Sequence, residues 1–258
     1  MKSPHSDIIP SASAPATNSE PMIEINNLKI GFGSQEVLKN VSLKLLNREN
    51  LVVLGKSGSG KSVLIKCIVR LLNPESGTIN VLGSNVGSLN RKELDELRKK
   101  IGFLFQSGAL YDSMTVKQNL EFPLRRIRKN LKEKEINEKI NEVLENVGLA
   151  ETLDKMPSQL SGGMRKRISL ARTIIVDPLI MLYDEPTTGL DPAKSDEIST
   201  LLNEVQKKYK TSSIIITNDI ECPRATANRI IMLQAGEVYA EGTIDELENS
   251  TDPLTKSF

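Results

Sequence analysis

The sequence predicts an α/β fold with a mostly parallel core sheet covered by helices. From about residue 50 onward, short apolar strand patterns alternate with helical patterns, and this order is typical of parallel sheets. Before that point, two strand-like runs joined by a short turn predict an N-terminal antiparallel β-subdomain. Charged helical patterns between Thr115 and about Leu160 interrupt the alternation and predict an α-helical subdomain.

The first predicted elements lie between Met22 and about Leu45. The runs IEINNLKIGF and VLKNVSLKLL have strand character and are separated by a turn at Gly33 to Gln35. A short apolar strand follows at Asn50 to Leu54. Helical apolar spacing then predicts a helix over Gly60 to Leu72, with Leu71 on its apolar stripe.

The remaining elements continue the alternation of strands and helices. They are predicted as strand Gly77 to Leu82, helix Arg91 to Lys100, strand Ile101 to Phe105, the charged helices, helix Gly163 to Val176, strand Leu179 to Asp184, helix Ala193 to Lys208, strand Ser213 to Thr217 and a closing strand RIIML. Thr217, Asn218 and Asp219 suit the start of a helix after the strand at Ser213.

Composition excludes several functional classes. The 34 Lys and Arg nearly balance 33 Asp and Glu, and aromatic residues make up 3% with no Trp, so nucleic acid is not an expected partner. No apolar run approaches the roughly 20 residues of a membrane-spanning helix, so we expect membrane contact only through a partner. Cys67 and Cys222 lack metal-like spacing and are expected to be core residues in a reducing cytoplasm.

The first 21 residues are rich in Ser, Pro and Ala and predict a disordered tail. They lack the apolar segment of about 7 to 15 residues that a signal peptide needs. This tail contains His5, the only histidine of the sequence.

The segment GKSGSGKS fits the pattern of a phosphate-binding loop between a strand and a helix. Its glycines allow backbone N–H groups to surround a phosphate chain at the positive end of a helix. The lysine can reach the β- and γ-phosphates, and the last serine hydroxyl can coordinate Mg²⁺. The alternative is a flexible loop that matches by chance. The predicted nucleotide contacts are Gly55, Lys56, Ser57, Gly58, Ser59, Gly60, Lys61 and Ser62.

Two carboxylates end the apolar strand in IMLYDEP. Beside a phosphate loop, Asp184 can hold a hydrated Mg²⁺ ion. Glu185 then points to the place from which a water molecule could attack the γ-phosphate, as a general base must. The alternative is that both acids only begin a solvated loop.

The segment LSGGMRKR contains another turn of small residues at a predicted helix start. Ser161, Gly162 and Gly163 can form a second anion site there. The alternative is an ordinary helix cap, because serine is common at that position.

Together, GKSGSGKS, LSGGMRKR, IMLYDEP and TTGLDP resemble the nucleotide-binding subunits of ABC transporters in order and spacing. The resemblance spans about Met22 to Leu247 and leaves residues 1–21 and 248–258 as tails. It implies a P-loop NTPase fold that binds ATP and Mg²⁺. It also implies that the helices at about residues 115–160 dock on membrane subunits.

The same resemblance implies a homodimer in which each ATP lies between the phosphate loop of one subunit and the LSGG turn of the other. Gln106 matches the family's glutamine that ligates Mg²⁺ and senses the membrane subunit. Asp191 matches the residue that couples the two sites. Phe32 matches an aromatic residue that stacks on adenine, although a place in the strand core is the alternative.

The run FLFQSGALYDSMTVKQNLEFPL, Phe103 to Leu124, resembles the Mla/Mce-type ATPases that drive phospholipid movement between bacterial membranes. Its MTV segment has strand character. This resemblance implies an integral membrane permease and an Mce-like substrate-binding protein as partners, on the cytoplasmic face of the inner membrane. An ABC transporter for another substrate is the alternative.

One position departs from the family pattern. Asn218 stands where a histidine usually contacts the terminal phosphate, and His5 lies too far away in sequence to replace it. Asparagine keeps an N–H donor but cannot carry a positive charge, and loss of such a contact typically costs about 10² to 10³ in rate. Two classes stay open: a working ATPase with Glu185, Asn218 and Lys61 as catalytic residues, or an ATP-dependent clamp that hydrolyses very slowly. The presence of Glu185 favours the ATPase.

Overall fold

The computed structural model describes residues 20–252 and residue 255. Most of the predicted N-terminal tail therefore lies outside the described residues, as does part of the predicted C-terminal tail. The described strands are β1 Ile23–Phe32, β2 Gln35–Leu45, β3 Asn50–Leu54, β4 Ser76–Val81, β5 Ser84–Asn85, β6 Ile101–Leu104, β7 Ile180–Asp184, β8 Ser212–Thr217, β9 Arg229–Gln234 and β10 Glu237–Gly242. The described helices are α1 Lys61–Ile68, α2 Arg91–Arg98, α3 Val116–Ile127, α4 Glu133–Asn146, α5 Gly162–Ile174, α6 Pro192–Tyr209, α7 Glu221–Thr226 and α8 Ile244–Glu248.

The strands form two sheets, which confirms the predicted fold class. The first has the order β2-β1-β4-β5 and is antiparallel throughout. The second has the order β10-β9-β3-β8-β7-β6, and its strands from β9 to β6 pair in parallel. Only its edge strand β10 runs antiparallel to its neighbour.

Successive residues of the parallel strands enter two different hydrophobic cores. Val52 and Leu54 pack with the buried residues of α3, α4, α5 and α6, whereas Leu51 and Val53 pack with α1, α2 and the antiparallel sheet. This follows from the alternation of side chains along a strand. The sheet is therefore covered on both faces, as expected for a parallel sheet.

The charged segment contains α3 and α4, and the apolar stripe that predicts helix in α4 is buried against α3 and α5.

The strand character predicted for the MTV segment is wrong, because this segment begins helix α3. Thr115 is the N-cap of α3: its hydroxyl accepts from the backbone N–H of Gln118, whose side chain accepts from the backbone N–H of Thr115. This reciprocal capping makes a helix start more favourable than a strand.

Helix α1 is shorter than predicted, because it ends at Ile68 and not at Leu72. Arg70 has a φ of 51°, which no residue within a right-handed helix can adopt. The chain turns away at this residue, whose guanidinium donates to the carbonyls of Val86 and Leu89. Leu71, expected on the apolar stripe, is consequently 52% exposed.

Several short elements were not predicted, namely β5, which pairs with β4, and β10 and α8 near the C-terminal end. Helix α7 begins at Glu221, whereas the sequence predicted a helix start at Thr217 to Asp219. The carboxylate of Asp219 accepts from the backbone N–H of Glu221 and so lies just ahead of the helix.

Cys67 and Cys222 are buried, as expected, and burial raises the pKa of each thiol to about 11. Within residues 20–252 and residue 255, no helix is long and apolar enough to cross a bilayer.

Candidate nucleotide-binding site

The predicted site residues follow the carboxyl ends of neighbouring parallel strands. Gly55 follows β3, Gln106 lies just beyond β6, Asp184 ends β7 and Asn218 follows β8. Carboxyl ends of parallel strands lie at one edge of the sheet, where α/β proteins bind ligands. The topology therefore gathers residues that are up to 163 positions apart in sequence.

The phosphate loop, residues 55–62, turns sharply into α1. Gly60 has a φ of 103°, and a Cβ atom built on it would lie 2.5 Å from a methyl carbon of Leu38. The hydroxyl of Ser59 is buried and has no hydrogen-bond partner among the described residues. A buried polar group without a partner is rare. An acceptor such as a phosphate oxygen would satisfy it, so the loop fits an anionic ligand.

Lys61 is buried at the start of α1. Its ammonium donates to the carbonyl of Gly55 at 2.6 Å and to that of Lys56 at 3.1 Å. It also lies 3.4 Å from Oε1 of Glu185. The lysine thus connects the phosphate loop with the acid that follows β7.

Ser62 and Asp184 are hydrogen-bonded, with 3.0 Å between the serine hydroxyl and the carboxylate. Burial raises the pKa of Asp184, while the bond from Ser62 acts in the opposite direction. Hydroxyl and carboxylate oxygens are suitable ligands for Mg²⁺, which keeps several waters and binds few protein groups. Among the described residues, no cluster of three or more acids, histidines or cysteines forms a separate metal site. The pair therefore fits Mg²⁺ held jointly with phosphates.

Glu185 is buried, so the alternative that it only begins a solvated loop is wrong. Its φ of 50° is unusual for a residue other than glycine. Its Oε2 accepts from the hydroxyl of Thr188 at 3.0 Å and from the backbone N–H of Asn218 at 3.2 Å. These contacts and Lys61 hold both carboxylate oxygens in place.

The small-residue turn of LSGGMRKR caps α5. The hydroxyl of Ser161 accepts from the backbone N–H of Met164, so the ordinary capping role is present. Ser161 and Gly162 are exposed, which also leaves the turn accessible to another molecule. Asp191 is the N-cap of α6 and accepts from the backbone N–H of Lys194. Any role of this turn and Asp191 toward a partner subunit stays a prediction.

The side chains of Phe32 and Gln106 are exposed. Phe32 ends β1 with 50% of its surface accessible, so the alternative of a core position is wrong. The backbone carbonyl of Gln106 accepts from the ammonium of Lys166 at 2.5 Å. Sequence reasoning missed Lys166 and Thr188, although both lie inside or next to the quoted motifs LSGGMRKR and TTGLDP.

Comparison with known proteins identifies relatives of this chain. The sequence profile of the ABC transporter family matches residues 38–188. The probable ribonucleotide transport ATP-binding protein mkl of Mycobacterium tuberculosis is 39% identical over 236 residues, which are 92% of this chain and 66% of that protein. The chain thus spans just under two thirds of this relative's length.

A second relative and a solved structure extend the comparison. The chloroplastic protein TRIGALACTOSYLDIACYLGLYCEROL 3 of Arabidopsis thaliana is 35% identical, with 93% of this chain and 74% of that protein covered. The dimeric, post-hydrolysis structure of the ATP-binding cassette MJ0796 with ADP and Pi has a TM-score of 0.78 at 32% identity, and covers 86% of this chain and 99% of that one. The fold is that of an ATP-binding cassette. The chain belongs to the ABC transporter family.

Gly60→Ala should weaken ATP binding at least about 10-fold, because left-handed strain of roughly 1–3 kcal/mol adds to a contact of 3.1 Å with the backbone carbonyl oxygen of Val37. Binding of a fluorescent ATP analogue measures the change. Gly83→Ala is the matched control: Gly83 has a φ of 75° but its added Cβ would be 3.8 Å from the nearest atom. Equal affinity for Gly60→Ala and the parent would contradict this role of the loop.

Proposed function

We propose that the protein hydrolyses ATP as the motor subunit of an ABC transporter that moves phospholipids. The observation that carries the hydrolytic part is the convergence of Lys61, the Ser62–Asp184 pair and Glu185 around the phosphate loop. A protein that only bound nucleotide would not need a fixed carboxylate beside the lysine.

In the proposed reaction, the phosphate loop holds the triphosphate, and the ammonium of Lys61 turns from its carbonyl partners toward the β- and γ-phosphates. Glu185 then orients the attacking water and accepts its proton. Ser62 and Asp184, with Gln106, would hold Mg²⁺. The ion would neutralise charge on the phosphates.

We further propose that two copies act together, with the Ser161–Gly163 turn of each meeting the nucleotide of the other. The exposure of Ser161 and Gly162 supports this arrangement. One chain carries a single set of motifs, so two shared sites need two chains. The related cassette MJ0796 has a dimeric structure.

A groove between α2 and α3 supports a membrane permease as partner. Its volume is about 690 Å³. Phe122, which lies in it, is 41% exposed and contacts the ring of Tyr111, which is 45% exposed. Exposed aromatic rings are enriched at protein interfaces, and a permease loop with apolar and acidic side chains would suit the groove. The charged lining consists of the acids Asp95 and Glu96, paired with Arg98 and Lys99, and the further cations Arg91, Lys92, Arg126 and Lys129, so cations are in excess. Such docking would place the protein on the cytoplasmic face of the inner membrane.

The phospholipid substrate rests on two sources. One is the resemblance of residues 103–124 to Mla/Mce-type ATPases, which also suggests an Mce-like substrate-binding protein as a partner. The other is the Arabidopsis relative, whose name is that of a galactolipid and therefore supports a lipid cargo in general. The mycobacterial relative is instead named for ribonucleotide transport, so a different substrate is the second candidate.

Glu185→Gln should lower steady-state ATP hydrolysis by about 100-fold or more, because it removes the proposed general base. Nucleotide binding should persist, since the phosphate loop is unchanged. Phosphate release by the purified chain, alone and joined to its membrane subunits, measures the rate. Glu204→Gln alters an exposed acid on α6 and serves as control. If parent and Glu185→Gln hydrolyse ATP equally, the proposed catalytic role is incorrect.

Asn218→His should accelerate hydrolysis, because imidazole offers a stronger contact to the γ-phosphate than asparagine. The backbone N–H of residue 218 bonds Glu185 in either variant, so the comparison isolates the side chain. Asn218→Ala should be slower than the parent if the amide is a working donor. An Asn218→His variant no faster than the parent would mean that the site already suits asparagine. A parent rate equal to that of Glu185→Gln, with ATP still bound, would instead support the slow clamp.

Phospholipid should be the cargo of the assembled transporter. The complex would be reconstituted in vesicles of phosphatidylethanolamine and phosphatidylglycerol, and the ATP-dependent transfer of a fluorescent phospholipid to acceptor vesicles would be followed. We expect transfer with the parent chain and none with Glu185→Gln. ATP-dependent uptake of a ribonucleotide, without lipid transfer, would favour the second candidate.

A further inference from the structure

One face of α5 lies against the Gln106 loop, defined here as residues 105–110. Lys166, Ser169 and Arg172 are spaced three apart and therefore share this face. A Cβ added to Gly108 would lie 2.6 Å from the hydroxyl of Ser169, so the loop approaches the helix as closely as glycine allows. Arg172 donates to the carbonyl of Gly108 at 3.5 Å.

Lys166 makes a contact that the other two residues do not make. Its ammonium donates to the carbonyl of Gln106 at 2.5 Å and to that of Glu185 at 3.4 Å. These carbonyls belong to two loops that follow the neighbouring strands β6 and β7. A single side chain thus bonds the Gln106 loop and the backbone of the proposed catalytic acid.

Lys166 lies where burial works against its charge and two neighbouring carboxylates offset part of that effect. Lys166 is half-buried, and burial lowers its pKa, while the carboxylates of Asp184 and Glu185 act in the opposite direction. Hydrogen bonds from a charged donor are stronger than those between neutral groups. The ammonium can therefore fix two backbone segments at once.

Lys166 is close to the start of α5, where the Ser161–Gly163 turn lies. Lys166 lies five residues after Ser161, little more than one helical turn from the Ser161–Gly163 turn, whose first two residues are exposed. A helix is stiff over this distance, so a displacement of the turn would move the ammonium with it. Movement of the ammonium would in turn shift its two hydrogen-bond partners, the backbone carbonyls of Gln106 and Glu185.

We propose that Lys166 is a positioning residue that ties the Gln106 loop and Glu185 to the Ser161–Gly163 turn. Contact at the turn is then converted into correct placement of Gln106 and Glu185. This inference rests on the proposed ATPase function for its catalytic consequence. Its structural part, the fixing of the Gln106 loop, does not depend on hydrolysis.

The test compares Lys166→Met with Lys166→Arg. Hydrogen–deuterium exchange of the peptide covering residues 105–110 should be about 10-fold faster in Lys166→Met, because the charged bond to Gln106 is lost. In ATP hydrolysis, kcat should fall about 10-fold with KM nearly unchanged, since the phosphate loop is intact. Lys166→Arg should have an exchange rate at residues 105–110 and a kcat close to those of the parent, because guanidinium can donate to two carbonyls.

Lys139→Met is the matched control, because Lys139 is also partly buried and bonds Asp177 at 2.8 Å, away from the phosphate loop. It should change neither exchange at residues 105–110 nor kcat. If Lys166→Met does not fold, Lys166→Gln replaces it, since glutamine stays polar but is uncharged and shorter. Unchanged exchange at residues 105–110 would overturn the proposal, even in a chain without ATPase activity. If the parent hydrolyses no ATP but exchange at residues 105–110 is faster in Lys166→Met, the proposed function is overturned. The positioning role of Lys166 toward the Gln106 loop is then still supported.

Discussion

Leu54 pairs with Thr217, and Ile216 pairs with Asp184, across the central parallel strands β3, β8 and β7. This register brings the phosphate loop, the two acids and Asn218 to one edge of the sheet. Side chains alternate between faces, so a slip of one residue in β7 would move Asp184 to the opposite face, away from Ser62. Such a slip is unfavourable, because every buried side chain of the strand would move from the core on one face of the sheet to the core on the other face.

The parts of this arrangement that follow from short-range pattern could be predicted from the sequence. Apolar runs ending in GKSGSGKS and in DEP predict strands that lead into a phosphate loop and into acids, and parallel pairing then predicts that these ends meet. Element ends were less predictable. Just beyond the end of α1, Arg70 bonds the carbonyls of Val86 and Leu89, and no local pattern in residues 60–72 predicts these contacts.

Contacts between distant residues were also beyond sequence reasoning. Lys61 and Glu185 are 124 positions apart, and Lys166 and Gln106 are 60 apart. Their distances depend on how α5 and the two loops pack, which composition and periodicity do not describe. The left-handed backbone of Glu185 is another such feature, since a non-glycine residue gives no sign of it. Its φ of 50° is maintained by surrounding contacts, including the bond from its own N–H to Ile216.

The two oxygens of Glu185 have different partners, and this difference bears on the missing histidine. Oε1 faces Lys61, for which a triphosphate in the loop would compete, whereas Oε2 is held by Thr188 and by the backbone N–H of Asn218. Under the proposed function, ATP would therefore draw the lysine away from Oε1 without releasing the carboxylate. Because a backbone N–H is present whatever the side chain, replacing histidine by asparagine leaves the position of Glu185 unaffected. The replacement then acts only through the side-chain contact to the phosphate.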